Sequence, residues 1–206
     1  MTGELAAHPG LVAHLEQARE LGFLGPGPVE PHIAHAQIFL DALDEVTGTV
    51  LDLGSGGGVP GLVIAVARPD LHLVLVDARA KRCAFLLRAA HDLAVDAEVV
   101  EGRAEVVGHA SLRGTVDAVV ARSFGLPAAT AECGGPLLRL GGRLIVSEPP
   151  GPPAPGRWPD DGLDLLGLAR MGRLGDGPSV QILEQRGPCP PQFPRRDGMP
   201  GHRPLF

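Results

Sequence analysis

Leu51-Asp52-Leu53-Gly54-Ser55-Gly56-Gly57-Gly58-Val59-Pro60-Gly61 is the stretch whose reading decides the fold. Residues 49–53 form a short β-branched and aliphatic run, glycines follow at close spacing, and residues 62–67 are apolar enough to open a helix. Glycine suits such a loop because the chain must reverse through φ values that a Cβ penalises, and because the backbone must come close to a ligand. Asp77 closes the next apolar run, residues 72–76, and so falls at the carboxyl edge of a second strand beside the loop. A carboxylate there can accept both hydroxyls of a ribose, and strand, loop, helix, strand and terminal acid together predict a βαβ unit that holds a nucleoside.

What the loop lacks decides which nucleoside. A phosphate-cradling loop needs Gly-Lys-Ser/Thr, whereas the only lysine, Lys81, lies well beyond the glycines. A dinucleotide fingerprint needs a small third residue that here falls on Val59. The pattern present is Asp52-x-Gly54-x-Gly56-x-Gly58, which resembles motif I of class I S-adenosylmethionine (SAM) methyltransferases. SAM carries no phosphate, so the loop needs to fit only an adenosine and a sulfonium amino acid.

A length of 206 residues suits one domain. No apolar run approaches membrane-spanning length and no basic-then-apolar leader opens the chain, so a cytoplasmic protein is expected. Cys83, Cys133 and Cys189 are odd in number and widely spaced, which supports neither a disulfide framework nor a zinc site, and no metal is expected. The formal charge of −6 argues mildly against a nucleic-acid ligand, although basic residues gather after Asp77 and near the C-terminus. Either cluster also fits ordinary solvated surface.

Residues 1–47 read as two short helices opened by Pro9 and Pro31, and residues 48–148 as a cofactor-binding core of alternating strands and helices. Residues 126–138 read as one helix, after which Gly141-Gly142 turns into a fifth strand at residues 143–147. Residues 149–160 form a Pro/Gly loop. Residues 161–187 contain a hairpin, with strands at 163–169 and 179–184, and residues 188–206 an extended basic tail. The fold class predicted is α/β, a Rossmann-like and mostly parallel sheet covered by helices on both faces, with a C-terminal antiparallel hairpin. In such sheets the ligand lies outside the carboxyl ends of the strands. Glu105 and the backbone of Ala104 then stand where an adenine is edged, although an acid in the first turn of a helix also serves its dipole. Arg122, directly after the fourth strand, is expected to face the methyl donor.

Asp77-Ala78-Arg79-Ala80-Lys81-Arg82-Cys83-Ala84-Phe85-Leu86 resembles the Asp-x-x-x-Lys-Arg-x-x-Phe-Leu segment of the RsmG (GidB) methyltransferases, which modify guanine N7 in small-subunit (16S) ribosomal RNA. Gly58-Val59-Pro60-Gly61, Gly102-Arg103-Ala104-Glu105, Ala121-Arg122-Ser123-Phe124 and Pro194-Arg195-Arg196-Asp197-Gly198-Met199-Pro200 resemble four further motifs of that family in the same order. The resemblance implies SAM as cofactor, held by Asp52, Gly54, Ser55, Gly56, Gly58, Val59, Asp77, Ala104, Glu105 and Arg122. It implies small-subunit ribosomal RNA as partner, with Lys81, Arg82, Arg195, Arg196 and Arg203 on its backbone and Phe124 best placed to stack a base. Arg122 and His35 are the positioning residues expected nearest the chemistry, while a lone helical histidine is also compatible with a structural role. A monomer is expected.

The departures from that family concern the acceptor. Ala34-His35-Ala36-Gln37-Ile38 stands where the family has Arg-His-x-x-Asp/Asn, the N-terminus is short, and Ser147-Glu148-Pro149 replaces a lysine-bearing Leu-Lys-Gly. Exchanging that lysine for a glutamate predicts a less cationic RNA face. A small-molecule methyltransferase on the same scaffold and a non-catalytic RNA- or subunit-binding module are therefore the competing readings.

Overall fold

The computed structural model describes Leu5, residues 8–152 and residues 154–206. Ahead of the sheet lie α1 (Pro9–Glu20) and α2 (Glu30–Ala42), each with a proline in its first turn, where the missing N–H has no intrahelical partner to lose. The core then alternates as β1 (Thr49–Leu53), α3 (Gly61–Ala67), β2 (His72–Asp77), α4 (Ala80–Asp92), β3 (Ala97–Glu101), α5 (Ala104–Val107), β4 (Val116–Ala121), α6 (Pro127–Gly134) and β5 (Leu138–Glu148). After β5 come α7 (Asp160–Asp164), the hairpin β6 (Leu168–Leu174) and β7 (Ser179–Gln185), and a short helix α8 (Met199–His202).

The seven strands form one sheet in the order β3-β2-β1-β4-β5-β7-β6. Strands β1 to β5 pair in parallel, and β7 pairs antiparallel with both β5 and β6. Strand order reverses between β1 and β4, which opens a crevice at their carboxyl ends. Neighbouring residues of the central strands feed opposite faces. Val50, Leu73, Leu75, Ala118 and Val120 pack with α1, α2, α3 and α4, whereas Leu51, Val74, Val76, Val119 and Ala121 pack with α5, α6, the α7 region and Phe193 of the tail. Such two-sided burial explains why these strands read as continuous apolar runs.

Four local expectations change. Helix α6 stops at Gly134 and passes through a 3-10 turn, Gly135–Leu137, into β5, which therefore starts five residues before the expected strand. Gly141-Gly142 is no turn: β5 runs through it with a register shift against β4 between Val116 and Ala118. Leu163 belongs to α7, so the hairpin begins at Leu168. The tail is not simply extended, since Phe193 is buried in the core and residues 199–202 are helical.

Candidate cofactor and acceptor site

The glycine loop is fixed by backbone groups and two aspartates. The amides of Gly54 and Ser55 both donate to the Val76 carbonyl at 2.9 Å, which turns the end of β1 toward β2. Asp52, 1% exposed, accepts from the Gly61 amide at 3.0 Å, and the Ser55 hydroxyl donates to the Asp52 carbonyl. Burial pushes the Asp52 carboxyl up to about 7 against the opposing pull of those donors. Gly54 has φ +76°, and a Cβ there would lie 2.8 Å from the Phe124 ring, so both conformation and space require glycine.

A cavity of about 520 Å³ opens beside this loop at the carboxyl ends of β1, β2, β3 and β4. One wall carries Gly54, Asp77, Arg79 and Arg82, a second Arg103, Ala104 and Glu105, and a third Ser123, Phe124, Leu126 and Cys133. Asp77 Oδ2 accepts from the Gly56 amide and Oδ1 from the Arg79 amide, each at 2.9 Å, while the Arg82 guanidinium stands 3.4 Å away. A carboxylate has about four acceptor positions, so these bonds orient Asp77 and leave capacity for ribose hydroxyls. Two carboxylates, an apolar wall and a cradle that a Cβ would fill suit a cationic adenosyl group.

The structure brings Gly54, Asp77, Ala104, Glu105, Arg82 and Phe124 together around this cavity. Asp52, Ser55, Gly56, Gly58 and Val59 instead shape the loop from behind the wall. Gly58, with φ +90°, makes room for Leu62, and the Val59 carbonyl faces Arg122. Arg122 itself points away from the cavity, contrary to expectation. Its Nε donates to the Val59 carbonyl at 3.1 Å and its Nη1 lies 3.0 Å from His32 Nδ1 on α2. His35 follows His32 by one turn, stacks on Phe39, and has its Nε2 buried without a hydrogen-bond partner. Burial, reinforced by the Arg122 charge, lowers both histidines below the ordinary range, so they are neutral bases at pH 7. Arg122 thus ties the loop to α2 from outside the cavity.

The C-terminal tail supplies the fourth wall, with Gly198, Pro200, Gly201 and His202 lining the cavity. Sequence reasoning missed this, together with Cys133. Ser123 adopts φ +55°, a conformation uncommon outside glycine, and its amide donates to Ser147 Oγ. The Cys133 thiol is held far above its ordinary range by burial, which favours its protonated form.

Lys81 and Arg196 are exposed, as is Arg203. Arg195 corrects the expectation of a backbone-binding arginine. Its guanidinium and amide are engaged by Glu132, and its Nη2 also donates to the Arg203 carbonyl. Glu148 corrects another, because its carboxylate is 4% exposed and accepts from Arg157 Nε and Trp158 Nε1 at 2.9 Å. Its charge anchors the Pro/Gly loop and is not presented to an acceptor. Among the described residues no cluster of three or more His, Cys, Asp or Glu could hold a metal, and no helix is long and apolar enough to cross a membrane.

Residues 28–147 match the family model described as GidB, rRNA small subunit methyltransferase G. A Deinococcus radiodurans protein named ribosomal RNA small subunit methyltransferase G is 34% identical over 192 residues, covering 82% of this chain and 73% of that protein. One of the same name from Moorella thermoacetica is 34% identical over 165 residues, covering 76% and 69%. Among solved structures, a geranyl diphosphate methyltransferase in complex with GPP and sinefungin superposes with a TM-score of 0.57 at 18% identity, covering 75% of this chain and 78% of that one, a likeness of fold alone.

Proposed function

The chain belongs to the rRNA small subunit methyltransferase G family and is a SAM-dependent methyltransferase, and we propose that it methylates N7 of a guanine in small-subunit ribosomal RNA. The observation that carries the donor half of this reading is Asp77, oriented by two backbone amides and lining the cavity beside Gly54 of the glycine loop. When bound there, SAM supplies an electrophilic methyl group for in-line displacement by a free lone pair.

This chain's own work is then binding, orientation and exclusion of water. Asp77 receives the ribose hydroxyls and Glu105 with the Ala104 amide edges the adenine. Phe124, beside Gly54 at the end of β4, offers an aromatic face to an unstacked base. Guanine N7 carries no proton, so no residue has to remove one. The absence of an acid-base pair from the proposed roles agrees with that chemistry. Lys81, Arg82, Arg196 and Arg203 bear the RNA backbone in this reading, and His32 with Arg122 supports the loop.

A small-molecule acceptor draws its support from the acidic balance of the chain and from Ser147-Glu148-Pro149, and pairing of the Glu148 carboxylate with Arg157 and Trp158 weakens the second of these. Incubation of the purified protein with methyl-labelled SAM and small ribosomal subunits from a strain lacking it tests the proposal. Label in the subunit RNA is expected; a protein that binds SAM but leaves the RNA unlabelled overturns the acceptor assignment.

A further inference from the structure

We propose that residues 189–206 are part of the cofactor pocket itself, with Gly198, Pro200, Gly201 and His202 closing it and Glu132, Arg113 and Glu105 holding that wall in position. The inference rests on the reading that this pocket takes SAM, and the wall it concerns, residues 189–206, lies outside the span of the chain that matches the family model, while the residues that hold it lie inside.

Glu132 lies on α6 and is fully buried, an expensive placement for a carboxylate unless its oxygens are saturated. They are filled by the tail: Arg195 donates to it from its amide at 2.7 Å, from Nε at 2.8 Å and from Nη2 at 2.6 Å. Arg113 forms a second anchor, donating to the carbonyls of Gly108, Cys189, Pro190 and Phe193 at 2.6–3.0 Å. His109 Nε2 lies 2.7 Å from the Pro194 carbonyl, and Phe193 inserts into the core. These contacts fix the segment that precedes the pocket-lining residues.

Glu105 is the joint between wall and cofactor. Its Oε1 accepts from the Gly198 amide at 2.9 Å, and Arg103 bridges Glu105 to Asp197 of the tail. Burial works to raise the Glu105 carboxyl, but the Gly198 amide and Arg103 outweigh it and hold it below the ordinary range, ionised at neutral pH. The carboxylate that edges the adenine is therefore the same one that seats the tail. A ligand that engages Glu105 and fills the cavity stabilises the closed tail, and a seated tail raises affinity for the ligand by the same factor.

Amide hydrogen exchange on the full chain, with and without SAM, tests this directly. Residues 54–58 and the amides of Gly198, Gly201 and His202 are expected to slow together, by about tenfold or more. Slowing confined to the glycine loop overturns the inference and leaves the cofactor reading standing; slowing in neither segment overturns both. Glu132→Gln supplies a second readout. The KM for SAM should rise about tenfold, the effect of weakening one charge-assisted contact, with a much smaller change in kcat. A lowered melting temperature with an unchanged KM for SAM would make Glu132 a purely structural residue and overturn its positioning role.

Discussion

The glycine loop and the C-terminal tail are two walls of one cavity, held by different kinds of contact. The loop is fixed mostly at short range along the chain: Ser55 bonds to Asp52, Gly61 to Asp52 and Gly56 to Asp77, spans of 3, 9 and 21 residues, with Arg122 reaching the Val59 carbonyl from 63 residues away. The tail is fixed by pairs 63 to 93 residues apart, Arg195 with Glu132, Arg113 with Phe193 and Gly198 with Glu105. The loop uses backbone amides and small residues, while the tail uses buried ionic side chains. A wall of the first kind is set once its βαβ unit forms. A wall of the second kind requires the finished fold, and it can respond to what the cavity holds.

Asp77→Ala is the sharpest way to break this contrast. It removes the ribose acceptor and leaves the Gly56 amide unpaired, so SAM affinity measured by calorimetry should fall by about a hundredfold, the consequence of losing two hydrogen bonds to a charged group. A loss of less than about threefold would mean that the loop wall does not hold the donor. Arg113→Ala attacks the other wall. Four carbonyls lose their shared donor, and stability should fall by about 2–4 kcal/mol in chemical denaturation, with new proteolytic cuts confined to residues 189–206. An uncut tail would show that Arg113 is not its anchor.

The exposed cations provide a smaller test. Lys81→Ala and Arg196→Ala should each lower the slope of log affinity for subunit RNA against log salt by about 0.7–1, with the melting temperature unchanged. Arg195→Ala should behave in the opposite way and lower the melting temperature, because it strands the buried Glu132. Equal salt slopes for wild type and the Lys81 and Arg196 variants would remove both residues from an RNA face.

A test by pH belongs to Asp52. Its folded pKa of about 7 lies above the ordinary 3.8, so the folded state keeps a proton that the unfolded chain releases between those values. This contribution to stability is fully present below 3.8 and is lost as pH rises through 7. Asp52→Asn, which keeps an oxygen for the Gly61 amide, should flatten the fall in melting temperature across that window. An unchanged fall would assign it to another group.

These differences set what could be read before folding. Strands β1 to β4, the loop and Asp77 were legible because each rests on periodicity or on glycine geometry within one βαβ unit. The start of β5 was missed because Gly141-Gly142, a turn signal by composition, is absorbed as an irregularity in a strand held on both sides by neighbours. Leu163 was placed in a strand because a run as short as 163–169 does not separate helix from strand by pattern. Arg122, Glu148 and Arg195 were all placed near the ligand by position in a motif, and their side chains turn instead to His32, Trp158 and Glu132. Nothing local in the sequence pairs residues 63 or 90 positions apart, as Arg195 with Glu132 and Arg122 with His32 are, and the partners of Glu148, 9 and 10 positions on, lie beyond a Pro/Gly loop that carries no periodicity.

Transfer to a purine nitrogen is tested most directly by the identity of the product. Small-subunit RNA labelled by this protein from methyl-labelled SAM can be digested to nucleosides and resolved by mass spectrometry. 7-Methylguanosine as the labelled nucleoside is the predicted result. Label in any other nucleoside, or in none, would contradict an enzyme that needs no base because its acceptor nitrogen is already free.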